Sequence, residues 1–301
     1  MSRGKIPPKL SATSILHIST FYSSWVLSSL LLHQVGRWLP AVIAPAMAYL
    51  FLLVLLLNLS YLSRLYQVRL EPLFQQHLPL RLLCLASCTL LFIGGYVVAA
   101  GLGAQSAPLT ALHTANLLFF ACVLGHWLTT PLKRPAELVP LCLIMTLVDA
   151  YSVFQGPTRQ LTSTLTAHYT SGQPGPPPLV DFILVKLPFP AQISLMPAFG
   201  ISDWIVIAMF SGAAAKFGLH DNLLHRYGGL YFPVSAVGLV AAIIAAREFN
   251  LYLPALPLIA ACFLAIPAYT SPRALRPTFH ELPALALCAT LAVILVVLVL
   301  F

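Results

Sequence analysis

The sequence predicts an all-α membrane protein, a polytopic bundle of about nine transmembrane helices. Three observations lead there. The 301 residues are 59% apolar and only 8% charged, with a mean hydropathy of +0.89, a balance foreign to soluble domains of this length. Apolar runs near the roughly 20 residues that a helix needs to cross hydrocarbon recur at 15–36, 39–62, 80–103, 108–130, 136–155, 192–217, 229–246, 249–269 and 281–301. The basic residues are scattered through the connections, as topology signals are.

The first run is the least apolar, interrupted by His17 and several Ser and Thr. Its basic start has no clean small-residue cleavage site after it, so it reads as a span and not as a signal peptide. With nine spans and a cytoplasmic N-terminus, twelve Lys and Arg fall inside and four (Arg37, Arg159, Lys186, Arg247) outside. That bias predicts an integral, multi-pass protein with its N-terminus in the cytoplasm. The net charge of +8 is accounted for in this way, and nucleic acid is not an expected partner. The orientation puts the 156–191 connection outside. A reporter fused near Ser171 is expected to read extracytoplasmic, and a cytoplasmic reading overturns the assignment.

All six cysteines (Cys84, Cys88, Cys122, Cys142, Cys262, Cys288) lie inside runs and none forms a CxxC, so they read as small packed groups. His220 and His225 flank Asp221 at a spacing that does not share a helical face, which reads as a solvated loop. Neither a metal site nor a cofactor is expected. No soluble domain and no fixed-period repeat is visible, so residues 1–301 form a single membrane unit.

The connection at 156–191 has two parts. GPTRQLTSTLTAHYTSGQPGPPP is a polar, Gly- and Pro-rich linker. LVDFILVKLPFP at Leu179–Pro190 is apolar but too short to span, and its Val, Ile and Phe favour an extended or surface-lying segment. Further on, Ala208, Ser211, Gly212, Ala213, Ala214 and Ala215 give the sixth run a small face for close helix packing.

Of eight carboxylates, Glu71, Glu137, Asp181, Asp221, Glu248 and Glu281 read as lying in connections or at span ends. Asp149 and Asp203 lie within the apolar runs LVPLCLIMTLVDAYSVF and AFGISDWIVIAMFSG. A carboxylate in hydrocarbon costs several kcal/mol, so it faces the bundle interior and marks function. Two in consecutive runs point to a carboxylate pair. The eighth run opens on LYLPALPLIAACF, where Pro254 and Pro257 interrupt regular helix. Irregular backbone at that depth is expected against protein or a wet cavity.

Asp149, Gly200-Ile201-Ser202-Asp203 and Pro254-Ala255-Leu256 occur in the order found in the presenilin and signal peptide peptidase family, which this chain resembles. VDAYSVF, VKLPFP at Val185–Pro190 and LPALP at Leu253–Pro257 are also similar to segments of that family. The resemblance covers roughly residues 136–268. It divides the chain into N-terminal helices at 1–135, a presenilin-like catalytic core at 136–268 and an extra C-terminal helix at 281–301. Val148 stands where the family carries Tyr, and Ser202 where it carries a second Gly. Four spans precede the first acid instead of five.

The resemblance implies an intramembrane aspartyl protease with Asp149 and Asp203 as the catalytic dyad and no metal. It implies transmembrane peptides or proteins as substrates, taken from the lipid bilayer. Gly200, Ser202, Pro254, Ala255 and Leu256 would shape the substrate site. Ile183 and Val185 would pair with an unwound substrate strand, because backbone exposed in a membrane needs new hydrogen-bond partners. Two other classes fit the acids. A transporter or channel would use them as a proton or cation relay, with Asn58, His113, Asn116 and His126 as further polar stations. A catalytically silent relative would bind membrane partners only.

Overall fold

A computed structural model describes residues 12–40, 42–102, 106–156, 164–165, 178–227, 229–249, 251, 253–276, 279 and 282–300. Most of the linker at 157–177, including Ser171, lies outside them, as do Arg3, Lys5, Lys9, Arg159 and Glu281. Helix dominates. The long helices are α1 (Ala12–Trp38), α2 (Ala44–Leu65), α3 (Leu78–Leu102), α4 (Ala107–Leu128), α5 (Leu138–Phe154), α6 (Ile201–Phe217), α7 (Ser235–Phe249), α8 (Ala255–Thr270) and α9 (Leu282–Leu300). Among the described residues, five helical stretches are long and apolar enough to cross a membrane: Ala12–Trp38, Ala44–Gln76, Leu78–Ala99, Ala107–Leu128 and Pro135–Phe154.

Two windows differ from the sequence expectation. Helix α2 does not stop near residue 62. It runs on through a π-helical turn at Tyr66–Leu70 into Glu71–Gln76, because the charges there find partners. Arg64 donates to Gln67 Oε1 (2.6 Å), and Arg81 donates to Glu71 Oε1 (2.7 Å). The apolar run at 192–217 is not one helix. Met196–Gly200 is a strand, β2, and helix begins only at Ile201. Pro197 and Gly200 disfavour helix there, and β2 pairs antiparallel with β1 (Leu184–Leu187), Val185 opposite Phe199 and Leu187 opposite Met196. The extended segment expected within Leu179–Pro190 is thus present, after a short helical turn at Leu179–Phe182.

Helix α4 is the hub, packing against α1, α3, α6 and β1. It is buried around most of its surface, as expected of a helix with no polar stripe. Its tightest contact is with α6, where a Cβ on Gly125 would sit 2.5 Å from the Ile205 carbonyl and one on Gly212 2.9 Å from Thr129. The small face of α6 therefore serves α4, not the helix carrying the other acid. Lys216 closes this contact by donating to the Thr129 and Thr130 carbonyls (2.9 Å each), which α4 leaves without helical partners. On the other flank α7 packs on α8, and a Cβ on Gly238 would lie 2.4 Å from the Leu258 carbonyl carbon. Helix α8 also packs against α5 and α6.

Three of the carboxylates in connections or at span ends are buried: Glu71, Asp181 and Asp221 are 5%, 0% and 7% exposed. Each has a partner that makes burial tolerable. Glu71 has Arg81 and the Tyr66 hydroxyl, and Asp181 has an ion pair with Lys186. The Tyr231 hydroxyl donates to Asp221 Oδ2 (2.8 Å) and lies 2.9 Å from Ser211 Oγ on α6.

Burial pushes the Asp221 carboxyl up from 3.8 to about 6. Between those values the folded protein holds a proton that the unfolded chain has released, so stability falls as pH rises through that window. The fall is on the order of 3 kcal/mol at 1.36 kcal/mol per pH unit. Asp221→Asn should flatten it. Unfolding midpoints of the two proteins that run parallel from pH 4 to 7 would disprove this.

Candidate active site

The three sequence elements meet through two helix N-termini. The first four N–H groups of a helix lack intrahelical partners. Helix α8 starts with Pro254 as its N-cap, which has no side chain able to cap it. Pro257, in the first turn, carries no N–H and so removes one orphan donor. Leu256 N–H is satisfied from another helix, donating to Asp149 Oδ2 at 3.0 Å. The Pro-Ala-Leu backbone and the acid of α5 are thereby locked together.

Asp203 is held by its own helix. It occupies the third position of α6, and its Oδ2 accepts the Gly200 N–H at 3.0 Å. This is the reciprocal half of a capping box; the other half needs an N-cap side chain, which Gly200 lacks. Gly200 has φ −76° and ψ 150°, a conformation open to any residue. A Cβ there would lie 3.2 Å from Ser202 Oγ and 3.5 Å from Asp203 Oδ2, so glycine keeps space in front of the acid.

Asp149 and Asp203 are close enough to act on each other electrostatically. Each is partly exposed. Each uses one carboxyl oxygen for a backbone N–H, and among the described residues the second oxygen makes no hydrogen bond to protein.

The remaining candidates divide. Pro254 is buried, with Ala255 and Leu256 half-buried beside Asp149, and Ser202 is exposed one residue before Asp203. Ile183 is 41% exposed, and its carbonyl accepts from Ile201 N–H (3.2 Å), tying the hairpin to the start of α6. Val185 is fully buried in the core, so its side chain is a packing residue of β1. Val148 and Tyr151 line an apolar groove of about 190 Å³ between α5 and α9, with Ile144, Leu147, Leu291 and Ile294.

Three site-positioning contacts had no sequence signal. Trp204, next to Asp203, donates its indole N–H to Ser63 Oγ on α2 (3.1 Å), fixing the start of α6. The Asp181–Lys186 ion pair ties the turn before β1 to β1 itself. His113 on α4 bonds the Phe182 carbonyl at 2.9 Å. His220 and His225 are exposed, their rings 4.7 Å apart. The described residues contain no group of three His, Cys, Asp or Glu arranged for a metal ion. The chain matches no protein-family model, no curated protein and no solved structure, so a functional reading rests on this geometry.

Proposed function

We propose that the protein is an intramembrane aspartyl protease that hydrolyses peptide bonds within or near transmembrane segments. In this reading the shorter helices α6 to α9 also cross the bilayer, giving nine spans and a presenilin-like core. The observation that carries it is the Leu256 N–H bond to Asp149 with Asp203 in electrostatic reach. Three chain segments, the outer two 107 residues apart, converge on two carboxyls inside an apolar bundle.

The chemistry follows from the pair. Like charges this near hold one proton between them. The ionised carboxylate takes a proton from the intervening water, and the water oxygen bonds to the scissile carbonyl carbon. The protonated partner gives its proton to the carbonyl oxygen. On collapse the C–N bond breaks, one gem-diol hydroxyl returns its proton to the ionised carboxylate, and the leaving nitrogen takes the proton of the other, so an acid and an amine depart and the dyad again holds one proton. A substrate helix must unwind to expose its peptide bond, and strand addition to the outer edge of the hairpin replaces its lost backbone bonds. In this reading Ile183, exposed just before β1, and not the buried side chain of Val185, meets substrate.

The relay alternative gains little from the polar residues named for it. Asn116 is bonded to Tyr22 and the Cys88 carbonyl, Asn58 to Ser24 and Ser28, and His126 to the Cys122 carbonyl. These are separate local networks. The test is a panel of synthetic transmembrane peptides incubated with purified protein in bilayers. Wild type is expected to cut at least one, and Asp203→Ala none. A panel left intact by wild type, or cut equally by the variant, removes the protease. Binding of an aspartyl-protease transition-state analogue then separates a silent relative from an unrelated protein.

A further inference from the structure

The loop joining β1 to β2 is gripped by three helices that carry neither acid. The Arg247 guanidinium, near the end of α7, lies 5.4 Å from the ring centroid of Phe189 in the loop and 5.2 Å from that of Tyr49 on α2. Tyr49 in turn hydrogen-bonds Glu248, and Glu248 lies 3.5 Å from Arg247 Nε. One cation thus bridges two aromatic faces and is itself held by a carboxylate. From α1, the Gly36 carbonyl accepts the Ala191 N–H (3.1 Å). Helix and loop are so close there that a Cβ on Gly36 would lie 3.3 Å from Pro190 Cα and 3.2 Å from Phe51.

The backbone records the same grip. Ala191 has φ 62°, and among the described residues it is the one non-glycine with positive φ. That conformation is costly for an L-residue with a side chain and persists where surrounding contacts over-determine it. Among the described residues the strands beyond the loop form a sheet of only two; β1 is buried against α4, and the half-buried β2 keeps an outer edge that no described strand covers. Such an edge is a template for a further strand.

Resting on the protease reading, we propose that this clamp holds the hairpin in its substrate-receiving position before substrate arrives, with Arg247 as its positioning residue. Order present in the free protein need not be created on binding, which lowers the cost of capturing an unwound strand. Among the described residues no ion pair, hydrogen bond or ring contact joins Arg247 to either acid or to Pro254–Leu256, so its loss acts on capture and not on the chemical step.

The experiment pairs amide hydrogen exchange of the substrate-free protein in detergent with cleavage kinetics on a peptide from the panel. In wild type the amides of Leu184–Leu187 and Met196–Gly200 are expected to exchange slowly without substrate. In Arg247→Ala their exchange rises about tenfold, the effect of losing two cation–π contacts, while the long helices are unchanged. KM rises by a similar factor, about tenfold, with kcat unchanged. Arg247→Lys, which keeps a cation over both rings, restores most of both. Unchanged hairpin exchange in Arg247→Ala overturns the clamp, as does faster exchange throughout the molecule or an altered kcat with constant KM. If wild type cuts no peptide, the protease reading fails, and hairpin exchange alone still decides whether the clamp exists.

Discussion

Asp149→Asn is expected to leave a folded protein that cuts nothing, and Asp149→Ala a protein that cuts nothing and is also less stable. The two differ because Asp149 does two jobs. In the proposed protease its carboxyl exchanges protons with the water and substrate, and removing a positioned acid or base of this kind lowers turnover by about 10²–10⁴. Its Oδ2 also accepts the Leu256 N–H, capping α8 from another helix. The amide oxygen of Asn preserves that acceptor but cannot run the proton transfers. Ala removes both, and the orphaned N–H costs about 1 kcal/mol, as for a lost N-cap. Asp203→Asn belongs with Asp149→Asn, because its amide oxygen still accepts from Gly200. Turnover of a panel peptide and unfolding midpoint in detergent measure the two effects. Cleavage by Asp149→Asn near the wild-type rate eliminates the dyad, and equal midpoints for Asn and Ala eliminate the cap.

Arg81→Met should destabilise the protein by about 3–5 kcal/mol, the cost of leaving one member of a buried ion pair uncompensated. The side chains of Arg81 and Glu71 are 3% and 7% exposed, 2.7 Å apart. Without Arg81, Glu71 keeps, among the described residues, only the Tyr66 hydroxyl at 3.0 Å, whose ring packs 5.1 Å from that of His126. The double replacement Glu71→Gln with Arg81→Met should recover most of the loss, since no charge is then stranded. Denaturant unfolding of both variants in mixed micelles reads this directly. A single variant as stable as wild type shows that the pair does not hold the end of α2 against α3.

How far the sequence reached is clearest at these carboxylates. Asp149 and Asp203 stand out because each interrupts an apolar run, a local signal. Pro254 and Pro257 stand out because proline acts on its own backbone and its neighbour's. The strand at Leu184–Leu187 was legible from its residue types and from a length too short to span. Glu71, Asp181 and Asp221 lie in connections or at a span end, as expected, but their burial was not legible, because burial of a charge is decided by its partner. Arg81 is ten residues from Glu71 and Tyr231 ten from Asp221, and neither spacing carries a pattern. The run at 192–217 misled for a related reason. Strand and helix are equally apolar when both are buried, so hydropathy does not divide Met196–Gly200 from Ile201–Phe217.

The sequence by itself determined that this chain is helical and apolar enough for a membrane, and which two acids break that rule. Those are properties of single residues and their near neighbours. Only the tertiary structure decided that Asp149 is fixed by the backbone of α8, that the small face of α6 rests on α4, and that the hairpin is held by α1, α2 and α7. Each of these joins groups tens of residues apart in the chain, where an unpaired N–H, a missing side chain or a lone cation has many possible partners and packing selects one.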